Sequence, residues 1–417
     1  MKIAIVGSGI AGMTVARLLA RRHDIAMFEA AHYVGGHTNT IRVAEGVKTL
    51  AVDTGFIVFN EPNYPNLCAL FREIGVESRE SDMSFSVHCE KTGLEYNGTR
   101  LATLFAQRRN LMRPSFWRML AEILRFNRDA PIALRHGIDD TVTVAEYIEQ
   151  NGHGDAFVEQ YLVPLGASLW SCDPGGFLRF PMRFVIEFLS NHAMLEVDGR
   201  PTWRTVLGGS DAYVGPLTAP FRNRIYLNTP VTSVTRVRAG VELGFDGGRR
   251  QRFDEVVLAC HADQSLRLVT NPDADESEIL GHFPYQMNDA VLHTDTSVLP
   301  DRPKAWASWN YRIPTEAVDH VTVTYNMNML QGLQSNMTYC VSLNQTARID
   351  PRKIIRRIGY EHPLFTPGRD HAQASHPALV RRRGISYCGA YWGYGFHEDG
   401  VRSALAVGDS FDVSLAA

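Results

Sequence analysis

No stretch of this sequence reaches the 18 or so continuous apolar residues that a membrane-spanning helix needs. Cysteines are few and scattered: Cys68, Cys89, Cys172, Cys260, Cys340 and Cys388 contain no C-x-x-C pair. Neither a zinc site nor a disulfide framework is suggested, and no metal is expected. An excess of one charge is missing too, since a net charge of −3 exerts no global pull on nucleic acid. The apolar run Ile3 to Val6 is too short for a secretory signal and runs into a glycine turn. A cytoplasmic protein is the expectation. What is present, 417 residues with 45% hydrophobic and 21% charged, exceeds one ordinary core and predicts two domains.

The most informative stretch comes first. Ile3-Ala4-Ile5-Val6 reads as a buried strand leading into Gly7-x-Gly9-x-x-Gly12, then a helix over about Ile10 to Arg22 and a second strand over Ile25 to Phe28 ending at Glu29. This is a dinucleotide-binding βαβ unit. Gly7 permits the tight turn, Gly9 lets the backbone approach a pyrophosphate, and Gly12 lets the helix pack on the strand. The amides at the head of the helix, at Ile10 and Ala11, then face phosphate. Glu29 stands 20 residues beyond Gly9, where a carboxylate accepts hydrogen bonds from the adenosine ribose. Taken alone, this fingerprint leaves NAD and FAD both open.

A second glycine pair follows in Gly35-Gly36-His37-Thr38, and Val52 to Phe59 reads as a strand carrying Gly55-Phe56-Ile57. Helix and turn over 67 to 80 and a hairpin over Phe85 to Thr99 come next. From Arg100 to His136 the composition shifts to eight arginines, no lysine and two acids, interleaved with large apolar residues. Pro114 is placed to begin a helix, on which Arg118, Glu122, Arg125 and Asp129 form one polar stripe. Two readings fit: a basic amphipathic segment resting on an anionic membrane, or a core helix with a solvated edge. A capped helix at Asp140 to Ile148, an apolar helix over Phe157 to Leu169 and large apolar surface over Phe177 to Leu189 complete this region. Val256 to Cys260 reads as a buried parallel strand, and 280 to 375 as a largely antiparallel sheet. At the end, a strand over Ile385 to Tyr391 containing Gly389 leads into the loop Gly393 to Gly400 and a helix over Val401 to Gly408.

The fingerprint, Glu29, Gly35-Gly36 and Asp53-x-Gly55 together resemble the FAD-binding half of the flavin amine oxidase and phytoene desaturase superfamily. Where that superfamily usually carries arginine after the second glycine pair, this sequence has His37. The resemblance implies an α/β fold: a Rossmann-like FAD-binding domain of amine oxidase type with an inserted α+β substrate domain. Residues 1–80, 196–270 and 380–417 would form the first, and 81–195 and 271–379 the second. It implies that Val231 offers its amide to the adenine and that Gly389, Gly400 and Val401 complete the flavin site. A helix N-terminus there stabilises the negative charge of reduced flavin by roughly 0.3 to 2 kcal/mol. Glycine loops at both ends of the chain favour FAD over NAD.

Blocks such as Asp53 to Glu61, Asp82 to Ser86, Trp203 to Val206 and Gly393 to Gly400 are similar to those of a bacterial subfamily of FAD-binding oxidoreductases. This resemblance implies dehydrogenation of an unsaturated fatty acyl chain, free or phospholipid-bound, to a conjugated diene on the way to furan fatty acids. Hydride would pass to flavin N5 with reoxidation by oxygen, and a lipid methyltransferase is an implied partner. The lysine that amine oxidases hold near N5 is replaced, in this register, by Asn288 or Asp289, which disfavours amine oxidation. His397 is the candidate proton acceptor because imidazole titrates near neutrality; a cofactor hydrogen bond or a helix cap is its alternative role. Glu398 and His293 are further catalytic candidates. Tyr391, Trp392, Tyr394 and Phe396 are expected around the ring, and Trp306, Trp309 and Tyr311 along an acyl tunnel. At roughly 0.8 kcal/mol per methylene, drawing ten carbons from a bilayer costs about 8 kcal/mol without an apolar channel to receive them. A redox-neutral double-bond isomerase and a non-catalytic lipid-presenting flavoprotein are the rival readings.

Overall fold

The computed structural model describes residues 1–196 and 199–415. Two main sheets divide the chain. The first is parallel, in the order Ile225–Tyr226, Asp24–Phe28, Lys2–Val6, Glu255–Leu258, Ile385–Tyr387. Its central strand is apolar from Ile3 to Val6 because both faces are covered there. Ile3 and Ile5 enter one core with Met13, Leu18 and Val401, while Ala4 and Val6 enter the other with Val256, Tyr387 and Trp392. The helix Ile10–Leu19 and the C-terminal helix His397–Asp409 lie side by side on the first of these cores. Their seam is made by glycine: a Cβ on Gly400 would stand 2.9 Å from Ile10 Cγ2, and one on Gly408 2.8 Å from Leu18 Cδ1.

The second sheet has seven strands, in the order Ile354–Pro363, Tyr285–His293, Cys340–Leu343, Val323–Asn326, Trp309–Ile313, Phe85–Cys89, Leu94–Asn97. It is antiparallel except where Trp309–Ile313 runs parallel to Phe85–Cys89. The helices Pro114–His136, Val163–Trp170 and Met182–Asn191 accompany it. All strands of the first sheet come from 1–80, 196–270 and 380–417, and all strands of the second from 81–195 and 271–379.

Some elements differ from the sequence reading, among them the expected strand from Ile385 to Tyr391, which ends at Tyr387 and gives way to a helical turn over Ala390–Trp392. The expected strand from Val52 to Phe59 ends at Asp53, paired in a hairpin with Thr40–Glu45. The chain then bends because the Thr54 and Phe56 amides donate to the carbonyls of Asn39 and His37 instead of to a strand partner. The last helix begins at His397, four residues before Val401. Asp399 makes this possible by accepting from the Tyr394 and Phe396 amides at 2.9 and 3.1 Å, which closes the loop into the first helical turn.

Candidate functional site

The site starts at the glycine turn. A Cβ on Gly12 would fall 2.1 Å from the Gly7 carbonyl oxygen, so only glycine lets the helix Ile10–Leu19 leave the strand at this angle. Above Gly9 there is nothing within 4 Å, and a Cβ on Gly36 would meet Gly9 Cα at 3.4 Å. The two glycine segments therefore make one open cradle. Glu29 closes it, accepting from the Ser8 amide at 2.8 Å, the Ser8 hydroxyl at 2.6 Å and the Ala31 amide at 2.8 Å. Ser8 is thus a positioning residue that the sequence reading passed over; Gly35 also donates to its hydroxyl, at 3.3 Å. Val231 begins a strand two residues after Thr229, whose amide donates to the Glu29 carbonyl. It accordingly stands at the adenosine end of the cradle.

On the other side of Gly36 lies a group of histidines. His37 stacks on Tyr360 with ring centres 4.8 Å apart and lies 5.3 Å from His362 and 6.2 Å from His261. Burial, reinforced by the neighbouring imidazoles, holds His37 well below the ordinary imidazole pKa and His362 at about 4. Both are neutral at pH 7. His37 Nε2 is buried without a hydrogen-bond partner among the described residues, and a polar ligand atom beside Gly36 would satisfy it. The cradle, the acid at its end and this waiting nitrogen fit a dinucleotide. Gly55 backs the wall, where a Cβ would strike the His37 carbonyl at 2.2 Å. Ile57 belongs to the core beneath the second sheet, its carbonyl accepting from the Thr205 hydroxyl at 2.8 Å.

Side chains tie the C-terminal loop into the rest of the protein. His397 Nε2 is within 3.1 Å of both the Thr38 and Tyr213 hydroxyls, and its ring lies on Phe56 at 3.6 Å. Burial lowers its pKa to about 3, and its geometry is that of a hydrogen-bonding anchor between Thr38 and Tyr213. Glu398 accepts from the Asn66 and Leu67 amides at 3.1 and 2.9 Å. It caps the helix Pro65–Ile74. The Gly400 amide donates to the Phe396 carbonyl at 3.2 Å and Val401 is buried in the core, leaving His397 and Glu398 at the head of the helix. Gly389 is packed by its own chain: its amide donates to Ser403 Oγ at 2.9 Å, and a Cβ would meet the Tyr391 ring at 2.4 Å.

His293 is held on another face of the second sheet. It lies with Val291 on the sheet face opposite the Ala290 and Leu292 core, bonded to Ser342 Oγ at 2.8 Å and accepting from the Asp295 amide at 3.0 Å. Asn288, in contrast, reaches the site. Its amide nitrogen lies 2.8 Å from the Ser171 carbonyl and 2.9 Å from His362 Nδ1, and its oxygen accepts from Asn344 at 2.7 Å. Asp289 points the other way, to Arg357 and Thr346. Tyr394 and Phe396 meet the aromatic core of the helical region, Phe396 on Phe188 at 5.2 Å and Tyr394 on Phe184 at 5.1 Å. Tyr391 and Trp392 do not; they pack beneath the parallel sheet on Phe283 and His376. Trp309 and Tyr311 belong to the substrate-sheet core, whereas the Trp306 indole is bonded to the Pro300 carbonyl near the sheet's far end.

A family profile described as flavin containing amine oxidoreductase matches residues 10–308. The chain belongs to this family. FAD is accordingly its cofactor, and the open cradle of the glycine turn, Glu29 and the Gly35-Gly36 segment fits such a dinucleotide. None of the curated proteins matches the chain. Among solved structures, a putrescine oxidase variant is similar at 16% identity and TM-score 0.69 over 99% of this chain and 98% of that one. Cyclohexylamine oxidase from Brevibacterium oxydans matches at 16% identity and TM-score 0.69, covering 99% of each chain. A CLA-producing fatty acid isomerase from P. acnes matches at 16% and 0.69, over 98% of this chain and 97% of that one. At these identities the likeness shows the fold of the flavin oxidoreductase.

Proposed function

We propose that this flavin oxidoreductase dehydrogenates an unsaturated fatty acyl chain to a conjugated diene, with oxygen as the final electron acceptor. The observation that carries the reading is the aromatic cluster packed against the C-terminal loop. Tyr394 and Phe396 pack on Phe184 and Phe188, with Trp170 and Phe365 behind them. An apolar chain is the natural occupant of such surroundings. The one buried cation there, Arg369, is already paired with Asp370 and lies 3.7 Å above the Phe184 ring. Asn288 adds to this. A neutral amide fixed by Ser171, His362 and Asn344 stands on the strand where the superfamily resemblance expects lysine, so the site lacks the cation associated with amine oxidation.

FAD, when bound, supplies the two-electron acceptor. The chain's own residues hold and shield it. The neutral histidines His37, His362 and His397 offer hydrogen bonds without adding charge, and Phe56 and Tyr360 exclude water on their side of the cradle. The similarity to a fatty acid isomerase favours one second reading, a double-bond shift that consumes no oxidant. Product analysis of the FAD-loaded protein with a monounsaturated phospholipid tests both. A diene formed with equimolar oxygen uptake is expected. A shifted double bond without oxygen uptake would establish the isomerase, and unchanged lipid would overturn both readings.

A further inference from the structure

Thirteen large hydrophobic side chains stand exposed among the described residues, and six of them, Leu101, Leu111, Met112, Trp117, Leu124 and Ile132, fall within residues 100–136. They are spatially organised. On the helix Pro114–His136, Phe116, Met119, Phe126 and Ala130 are buried, while Trp117, Ala121, Leu124, Arg128 and Arg135 recur at helical spacing on the outward side. Trp117 joins this line to the preceding turn: its indole donates to the Leu111 carbonyl at 2.9 Å and its ring lies 5.5 Å from Phe105. Met112, 89% exposed, projects beside it. A solvated helix edge has no need of such residues there.

The charge around these side chains is mostly positive. Of the eight arginines in 100–136, only Arg125 and Arg128 have carboxylate partners among the described residues, Glu122 at 3.8 Å and Asp129 at 2.7 Å. Those two acids are the segment's whole supply. Arg100, Arg108, Arg109, Arg113, Arg118 and Arg135 are left without an ion pair among the described residues. Among those residues no helix is long and apolar enough to cross a membrane, so any lipid contact made here is peripheral.

We propose that residues 100–136 form a docking surface for an anionic phospholipid bilayer. Leu101, Leu111, Met112, Trp117 and Leu124 enter the acyl boundary while the unpaired arginines hold the headgroups. Protruding single apolar side chains ringed by unpaired arginines, with an indole among them, suit a lipid interface better than the flat, packed centre of a protein contact. That the surface delivers substrate rests on the acyl-chain reading above; the surface itself does not.

The test is co-sedimentation of the full-length FAD-loaded protein with phosphatidylcholine vesicles, with or without about one third phosphatidylglycerol. Binding to the anionic vesicles alone is expected, and it should weaken steeply in high salt. Arg108→Ala should weaken it about fivefold, and Met112→Glu and Leu124→Glu at least as much, with circular dichroism and flavin absorbance unchanged. Val47→Glu, at a position fully exposed elsewhere, should have no effect. Equal binding to both vesicle types, no binding, or indifference to Arg108→Ala and Met112→Glu would overturn the proposal, and capture of an acidic protein in place of vesicles would do the same. Vesicle binding without lipid turnover would leave the docking surface standing and count against the acyl-chain reading.

Discussion

The glycine turn at Gly7 to Gly12 and the glycine loop from Gly389 to Gly400 look alike in the sequence, yet they differ in what fills the space beside them. Gly9 has nothing within 4 Å, and the cradle above it is open to a ligand. Beside Gly389 and Gly400 the space is taken by Tyr391 and Ile10, and both amides are spent on Ser403 Oγ and the Phe396 carbonyl. One end of the chain is a binding surface made of backbone. The other is a packing seam that brings His397 and an aromatic wall to the same place through side chains.

Substitutions sharpen that contrast. Gly12→Ala should have the largest effect, on the order of 3 kcal/mol of stability, because the new methyl meets a fixed backbone carbonyl. Gly9→Ala should leave the thermal midpoint of the flavin-free protein unchanged while weakening FAD binding; a large fall in midpoint would show that the open space is not a cradle. Glu29→Gln keeps the Ser8 contacts in part and should lower FAD affinity about tenfold, measured by flavin fluorescence on titration.

The loop end makes the opposite predictions. Glu398→Gln should cost about 1 kcal/mol in thermal unfolding, as expected for a helix cap, and leave kcat nearly unchanged. A kcat loss of a hundredfold or more with an unaltered midpoint would restore Glu398 as a catalytic group. Acidity provides a further test. His293 and His397 are held at about 4 and about 3 by burial, below the ordinary 6.5. The unfolded chain therefore binds protons that the folded one refuses. Stability is complete above pH 6.5 and is lost as pH falls toward the folded values, at roughly 1 kcal/mol per histidine over the first pH unit. Thermal midpoints between pH 7 and 5 read this, and His293→Asn should flatten the slope without touching the flavin. If His397 were instead a general base, His397→Gln would abolish the acid limb of the kcat profile; here that limb is expected to remain.

Much of the fold was legible because its determinants are local. A strand, three glycines, a helix and an acid follow in fixed order, and the hairpin at Phe85 to Asn97 and the buried strand Glu255–Leu258 carry their patterns in adjacent residues. The site was legible only where the backbone makes it. His37 was visible as a departure from the expected arginine, but its partners Tyr360, His362 and His261 lie more than 200 residues away. His397 looked like a base because imidazole titrates near neutrality. Its role changed once burial and the Thr38 and Tyr213 hydroxyls were included. Tyr391 and Trp392 were misplaced for a related reason: aromatic residues next to a functional glycine loop are equally suited to a core, and which side they take is set by Phe283 and His376.

The acyl-chain reading rests on the aromatic cluster beside the C-terminal helix and on Asn288 where the superfamily resemblance expects lysine. Anaerobic rapid mixing of the FAD-loaded protein with a monounsaturated phospholipid, and separately with a primary amine, tests it most directly. Bleaching of the flavin absorbance by the lipid and none by the amine is expected. Bleaching by the amine, with the lipid inert, would contradict it.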